Sequence, residues 1–389
     1  MPPERQNLLQ RFGKGEGEQL IVSLAPSYVG AFDFLSGEQV VGALKSLGFW
    51  GVSETAQGAA LVAAEYYNLA REGKMRNIIT TCCPVVNDLV EKYYPGAVRD
   101  MAPVVSPMIA HGMLLKESFG ADKKVVFVGP CIAKKGEAED IRHSRQIDAV
   151  VTFPDILGWL KDEGIEPISC RPEAFLNCSS QITRLFPVPA GVLKSIFARG
   201  EVEGYRTLCV DGVENCKELL ESIVNEEIQG CIIEINACPG GCVNGPVRGE
   251  KKRSRIETKL ELEEQVQLQG EGFPDIPLQV PMKKRFLSRS SHEKEPTEEE
   301  IRAILLKTGK ERPEQELNCG LCGYPSCREK ARAVFQGKAE LAMCIPFMRQ
   351  RAESLSNLVL AQTPNITIIA DEDMNIVEFN AAAEKVFGC

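Results

Sequence analysis

Short apolar runs alternate with longer stretches of helical spacing from Gln19 to about Gly249. Gln19 to Leu24, Asn77 to Thr80, Lys124 to Val128, Ile147 to Phe153, Thr207 to Val210 and Cys231 to Ile235 read as strands. Between them, Gly37 to Leu47, Ala59 to Ala70, Pro84 to about Tyr93, a stretch from Pro107, one ending near Leu160, Val192 to Phe197 and Val213 to Val224 carry helical spacing. Strands separated by helices imply an α/β domain of mainly parallel sheets flanked by helices, here with two lobes.

Beyond Arg253 the pattern turns charged and repetitive, then Pro-rich and basic as far as Pro296, which is linker composition. Thr297-Glu298-Glu299-Glu300 is a helix-start signal ahead of Ile301 to Thr308. Ile366 to Cys389 reads as strand, turn at Asp371 to Asp373, strand, helix. The expected organisation is a tail over 1–18, a two-lobed domain over 19–265, a linker over 266–296, a small helical domain over 297–358 and an incomplete α+β segment over 359–389.

A net charge of -9 and a pI near 5.2 argue against nucleic acid or an anionic membrane as partner. The basic runs Lys251 to Arg253 and Lys283 to Arg285 read as solvated surface. No apolar stretch approaches the roughly 20 residues of a membrane span, and Met1 to Glu18 lacks the apolar core of a secretory signal. The protein is expected in the cytoplasm. Its 15 cysteines then need a reason other than disulfides, and metal or redox chemistry supplies one. The three histidines, His111, His143 and His292, have no ligand spacing, so soft thiolate ligation of iron-sulfur clusters or zinc is the expectation.

The thiols are placed accordingly. Cys82-Cys83, Gly129-Pro130-Cys131 and Cys238-Pro239-Gly240-Gly241-Cys242 each follow a predicted strand, where α/β proteins keep their chemistry. Downstream, Cys319, Cys322, Cys327 and Cys344 form a C-x-x-C pair, a third thiol and a distant fourth on a glycine-bearing loop. That spacing suits a cluster, whose sulfurs the loop amides would face. A structural zinc site is the alternative, since ligand type alone fits both. Cys170, Cys178, Cys209, Cys216, Cys231 and Cys389 belong to no motif and read as packing or surface thiols.

Thr80-Thr81-Cys82-Cys83-Pro84, Phe127 to Glu137 and Ala237 to Gly245 resemble the three cluster-binding motifs of the iron-only (FeFe) hydrogenases. Leu24 to Ser27, Glu54 to Ala56 and Val104 to Met108 resemble that family as well, in the same order, so the likeness covers about Gln19 to Gly249. It implies the H-cluster fold, with a cubane cluster on Cys83, Cys131, Cys238 and Cys242. Cys242 would also bridge to a two-iron subsite carrying carbonyl, cyanide and dithiolate ligands. Lys134 would bond a cyanide, Ala25, Pro26, Ser27 and Ser106 would line the pocket, and Cys82 would pass protons inward. The set Cys319, Cys322, Cys327 and Cys344 resembles a small 4Fe-4S domain found beside redox enzymes, so two cubane clusters are expected.

Departures from the active enzymes are as specific. Gly129 and Asn236 stand where those enzymes carry methionines, Val86 replaces a tryptophan, and Tyr66, Leu69 and Ala102 replace an acid-serine-acid proton relay. The glycine run after the fourth ligand stops at Pro246, and no ferredoxin-like cysteine set precedes Gln19. These changes resemble the family's sensory branch, as does Ile368 to Asn380, which looks like the start of a PAS domain cut short by a shortened chain or a split gene. The branch implies slow hydrogen conversion or hydrogen sensing. Its partners would be hydrogen, protons, hydrogenase maturation proteins and an electron carrier or a signalling partner reached through PAS. The alternatives are a non-catalytic iron-sulfur assembly or scaffold protein, which has no use for Cys82, and a PAS-linked redox sensor with a cubane alone.

Overall fold

The computed structural model describes residues 20–143, 145–177, 182–249, 253–269, 280–289 and 296–388. The chain forms two compact units that part between residues 290 and 291. In the larger, β1 (Leu20–Leu24), β2 (Gly51–Glu54), β4 (Lys124–Gly129) and β5 (Ala149–Thr152) make a parallel sheet of order β2-β1-β4-β5. A second parallel sheet has the order β3-β7-β6, from β3 (Ile78–Ile79), β6 (Arg206–Asp211) and β7 (Cys231–Asn236). Helices α1 (Gly37–Ser46), α2 (Ala56–Glu72), α3 (Pro84–Tyr93), α4 (Pro107–Phe119), α5 (Ala133–Glu139), α6 (Phe153–Asp162), α7 (Gly191–Phe197) and α8 (Val213–Val224) lie between the strands.

Every residue of β1 and β7 is buried, which is why both read as mainly apolar runs, broken only by Ser23 in β1 and by Glu234 and Asn236 in β7. β2 escaped that reading because Gly-Val-Ser-Glu holds one strongly apolar side chain, yet all four residues are buried beside β1. Each sheet is parallel, so its strands end on one side. The turn at Ala25 to Ser27 therefore lies beside Pro130-Cys131 after β4, and Cys82-Cys83 after β3 beside Ala237-Cys238 after β7. Proline opens α3 and α4 at the first turn, where its missing N–H costs nothing.

The linker reading needs correction. Helix α9 (Arg255–Gln269) carries the larger unit past the boundary expected at 265/266, with Val266 as well as Leu262 in the main core. Residues 280–289, also expected as linker, run along the larger unit: the Val105 N–H donates to the Met282 carbonyl (2.9 Å) and the Lys284 N–H to the Pro103 carbonyl (3.0 Å). The cause is a buried acid. Glu91 is 1% exposed and receives Arg142 Nη1 at 2.7 Å, the Leu287 N–H at 2.9 Å and an ion pair from Arg289. Lys284, expected in solvent, is buried as well, its ammonium 4.9 Å from the centre of the Phe286 ring. The charged composition thus served a buried carboxylate and hid two apolar anchors, Met282 and Phe286.

In the smaller unit, α10 (Glu298–Lys307) is capped by Thr297, whose Oγ1 accepts the Glu300 N–H. Its Ile301 and Leu305 pack on Ala331 of α11 (Cys327–Phe335). Helix α12 (Ile345–Gln362) runs across the boundary expected at 358/359. After it, β8 (Ile368–Ala370) and β9 (Ile376–Phe379) pair antiparallel, followed by α13 (Ala381–Phe387).

Candidate iron-sulfur sites

The three motif loops of the larger unit touch one another. A Cβ on Gly245, the last residue of the third motif, would lie 2.5 Å from the Pro130 carbonyl oxygen, so only glycine lets that loop close on the second motif. Thr80 N–H donates to the Ile233 carbonyl (2.9 Å), tying the first motif to the strand that feeds the third. Lys134 Nζ, from the second, donates to the Cys82 carbonyl (3.1 Å) in the first.

The thiols inside this junction feel each other's charge. Burial pushes Cys83 up, and the Ala237 and Val86 amides bonded to it pull it back in part. Burial, then the neighbouring Cys83 and Cys131, pushes Cys238 up to about 11. Burial and all three other thiols hold Cys242 well above its ordinary value. Four thiolates so placed repel one another unless a positive centre lies among them, and an iron-sulfur core is such a centre. Among the described residues no three or more His, Cys, Asp or Glu groups stand at the spacing of a single bound ion.

Around them lie the other expected residues. Pro26 and Ser27 are buried in the turn after β1, and the Ala25 N–H donates to the Val128 carbonyl (2.9 Å). The Ser27 hydroxyl is buried and has no hydrogen-bond partner among the described residues, which fits a polar group bound beside it. Ser106 stands at the start of α4, where its hydroxyl makes no capping bond, and lies beside the Glu137 carboxylate. Lys134 Nζ is 2.6 Å from Glu137 Oε2. Burial would lower the Lys134 ammonium, but Glu137 with the Cys131 and Cys82 thiols keeps it above its ordinary value. Burial would raise Glu137, and Lys134 and Lys284 hold it low. The pair is therefore ionised, with one ammonium proton left after its two bonds.

Two departures have visible causes. A Cβ at Gly129 would lie 2.6 Å from the Phe127 ring, which occupies the room a longer side chain would use. Tyr66 is fully buried and is more than a missing acid, because its hydroxyl accepts the Thr81 N–H (2.8 Å) and hydrogen-bonds Cys82 Sγ (3.4 Å). Burial drives Tyr66 far up and Cys82 to about 12. The sequence reading missed Glu234. It sits within apolar β7, accepts the Val192 and Leu193 N–H groups (3.0 and 3.1 Å), and is raised by burial to about 7. Its charge reaches Cys82. A lone carboxylate in an otherwise apolar strand was the available signal.

In the smaller unit Cys319, Cys322, Cys327 and Cys344 line one pocket. The loop between them turns through Gly320 at φ 69°, and Asn318 Oδ1 accepts the Cys327 N–H (2.8 Å), fixing the third thiol at the start of α11. Cys216 and Cys231 are buried in the core beside the second sheet, Cys209 is exposed and Cys170 is partly buried, while Cys178 and Cys389 lie outside the described residues.

Comparison with known proteins decides the family. The description "Iron only hydrogenase large subunit, C-terminal domain" matches residues 18–246, more than half of the chain. The chain belongs to the iron-only hydrogenase family. A second description, "Putative Fe-S cluster", matches residues 315–346 of the smaller unit. Iron hydrogenase 1 of Clostridium pasteurianum is 27% identical over 285 residues, 59% of this chain and 50% of that protein, so the chain spans about half the length of this curated relative. The nuclear prelamin A recognition factor of Danio rerio is 24% identical over 327 residues, covering 67% of this chain and 69% of its own. A structure of the [FeFe]-hydrogenase HydA1 from Chlamydomonas reinhardtii superposes with a TM-score of 0.59 at 17% identity, over 74% of this chain and 99% of that one, and shares the fold. Among the described residues no helix is long and apolar enough to cross a membrane.

Proposed function

We propose that Cys83, Cys131, Cys238 and Cys242 hold a cubane cluster, Cys242 bridging to a two-iron subsite, and that the chain converts hydrogen slowly or senses it. When bound, this group would supply the electrons and the open iron at which protons and hydrogen interconvert. The observation that carries the reading is the junction of three motif loops, which brings the four thiols within reach of one another's charge and sets Cys82 beside them. Lys134, held by Glu137 and the Cys82 carbonyl, has one N–H left, which would hydrogen-bond a cyanide of that group. Ala25, Pro26, Ser27 and Ser106 would line the pocket of that group and keep water out.

Cys82 stands as the inner proton donor, hydrogen-bonded to Tyr66, and Glu234 supplies a titrating group within its field. Tyr66, Leu69 and Ala102 leave no acid-serine-acid chain, so each proton has a slower way in, as suits a sensor that reads hydrogen by occupancy. The thiols at 319, 322, 327 and 344 would hold the second cubane, passing electrons or a structural signal towards the PAS-like hairpin, with a soluble electron carrier or a signalling protein as partner and the cytoplasm as setting. The same departures, with Phe127 filling the space at Gly129, favour a second reading in which only the cubane is installed and the chain is an assembly protein or redox sensor. Infrared spectroscopy after co-expression with maturation proteins separates them: carbonyl and cyanide bands support the hydrogenase reading, and their absence from iron-loaded protein supports the second.

A further inference from the structure

Lys310 belongs to no motif, yet it is 8% exposed and lines the pocket of the second thiol set. Its ammonium donates to Cys344 Sγ (3.4 Å), Thr308 Oγ1 (3.1 Å) and the Thr308 carbonyl (3.2 Å). Three donors meet three acceptors, and among the described residues none is a carboxylate. A buried ammonium among neutral acceptors is unfavourable unless negative charge lies nearby. The thiols of the same pocket are the available source of negative charge. A cubane held by four thiolates is anionic, and its reduced form carries one more negative charge. The ammonium at Cys344 therefore stabilises the reduced form more than the oxidised one.

We propose that Lys310 is the charge-compensating residue of the second cluster and raises its reduction potential. The inference rests on the cluster reading of Cys319, Cys322, Cys327 and Cys344. The step concerned is uptake of one electron by the cluster from a reduced mediator, and no bond forms or breaks.

The test is a redox titration of the full chain, reconstituted anaerobically and followed by electron paramagnetic resonance. The second cluster's signal is the one that disappears in Cys322→Ser. Lys310→Met removes donor and charge, Lys310→Gln keeps a donor without charge, and Lys310→Arg keeps both. At a fixed potential near the midpoint, the ratio of reduced to oxidised cluster is expected to fall about tenfold in Lys310→Met and Lys310→Gln, a shift of about 59 mV for one electron. Lys310→Arg should stay near the starting protein. Should the two neutral variants fail to retain the cluster while Lys310→Arg retains it, the charge is read in occupancy and the proposal stands. Equal potentials in all four proteins overturn it, as does loss of the cluster from Lys310→Arg as well. Zinc without iron at this site in the unaltered protein overturns the cluster reading and the inference together, a result distinct from a loaded cluster with an unmoved potential.

Discussion

Cys319 to Cys344 spans 26 residues and is gathered by one loop and two helix starts, whereas Cys83 and Cys242 stand about 160 residues apart and meet only where two parallel sheets end. Chain entropy is not what separates them. Each doubling of a closed loop costs about 0.6 kcal/mol, so a span six times longer adds only about 1.6 kcal/mol. The difference lies in what positions the sulfurs. The compact set depends on its own turn, with Gly320 and Asn318, while the dispersed set depends on β-strand register, on Gly245 against Pro130 and on the Lys134–Glu137 pair. A site of the second kind inherits every packing fault between its parts.

The largest expected effect tests that independence. Cys131→Ser should empty the larger unit's site alone, and Cys322→Ser the smaller unit's alone. Protein made without maturation proteins should lose about half of its iron in each case, given one four-iron cluster per set of four cysteines. If either substitution empties both sites, the two are one cooperative system and the contrast fails.

Turnover comes next. Cys82→Ala should lower hydrogen evolution by the matured protein about 10²-fold or more, the usual cost of losing a positioned acid-base group. Glu234→Gln should lower it in the same direction, with the infrared bands unchanged, because only a titrating group has been lost. An unchanged rate in Cys82→Ala means that protons enter elsewhere. The smaller unit's thiols should be indifferent to both substitutions.

A smaller effect sharpens the packing argument. Glu137→Gln leaves the Lys134 ammonium buried without its carboxylate, and breaking such a pair costs about 3–5 kcal/mol. Urea unfolding should show that loss in the transition of the larger unit, with that of the smaller unit unmoved.

The same contrast decides what the chain betrays to a reader. The compact set is legible from spacing alone, because all four residues that make it and the glycine that turns its loop stand in one short stretch. The alternation of strands and helices gave the two-sheet α/β unit for the same reason: the apolar runs of β1, β4 and β7 are local facts. The dispersed set was legible only through resemblance of its three motifs. What escaped was long-range. Nothing near Lys284 or Arg289 signals that a buried Glu91 lies about 200 positions earlier, so composition suggested linker. Nothing near Glu234 shows the Val192 and Leu193 amides that hold it. Tyr66 looked like an absence until its hydroxyl proved to lie at Cys82.

The smallest effect concerns His111, which has no ligand partner and sits beneath the first sheet between two hydroxyls, Ser23 Oγ at 2.7 Å from Nδ1 and Ser53 Oγ at 3.0 Å from Nε2. Burial lowers it from 6.5 to about 3, so the folded ring stays neutral where an unfolded one would take up a proton. Between those values the unfolded state binds more protons, and stability rises with pH. The contribution is complete above about 6.5 and is lost as pH falls towards 3. Between pH 7.5 and 5.5 the larger unit should lose about 1.4 kcal/mol on this account. His143, also lowered by burial, acts in the same direction. The His111 share is therefore read as the slope that disappears in His111→Gln, whose amide can still bond both hydroxyls. The smaller unit has no buried histidine among its described residues and should show no such slope over that window. An equal slope in both units, or one that survives the substitution, would place the pH sensitivity outside this ring.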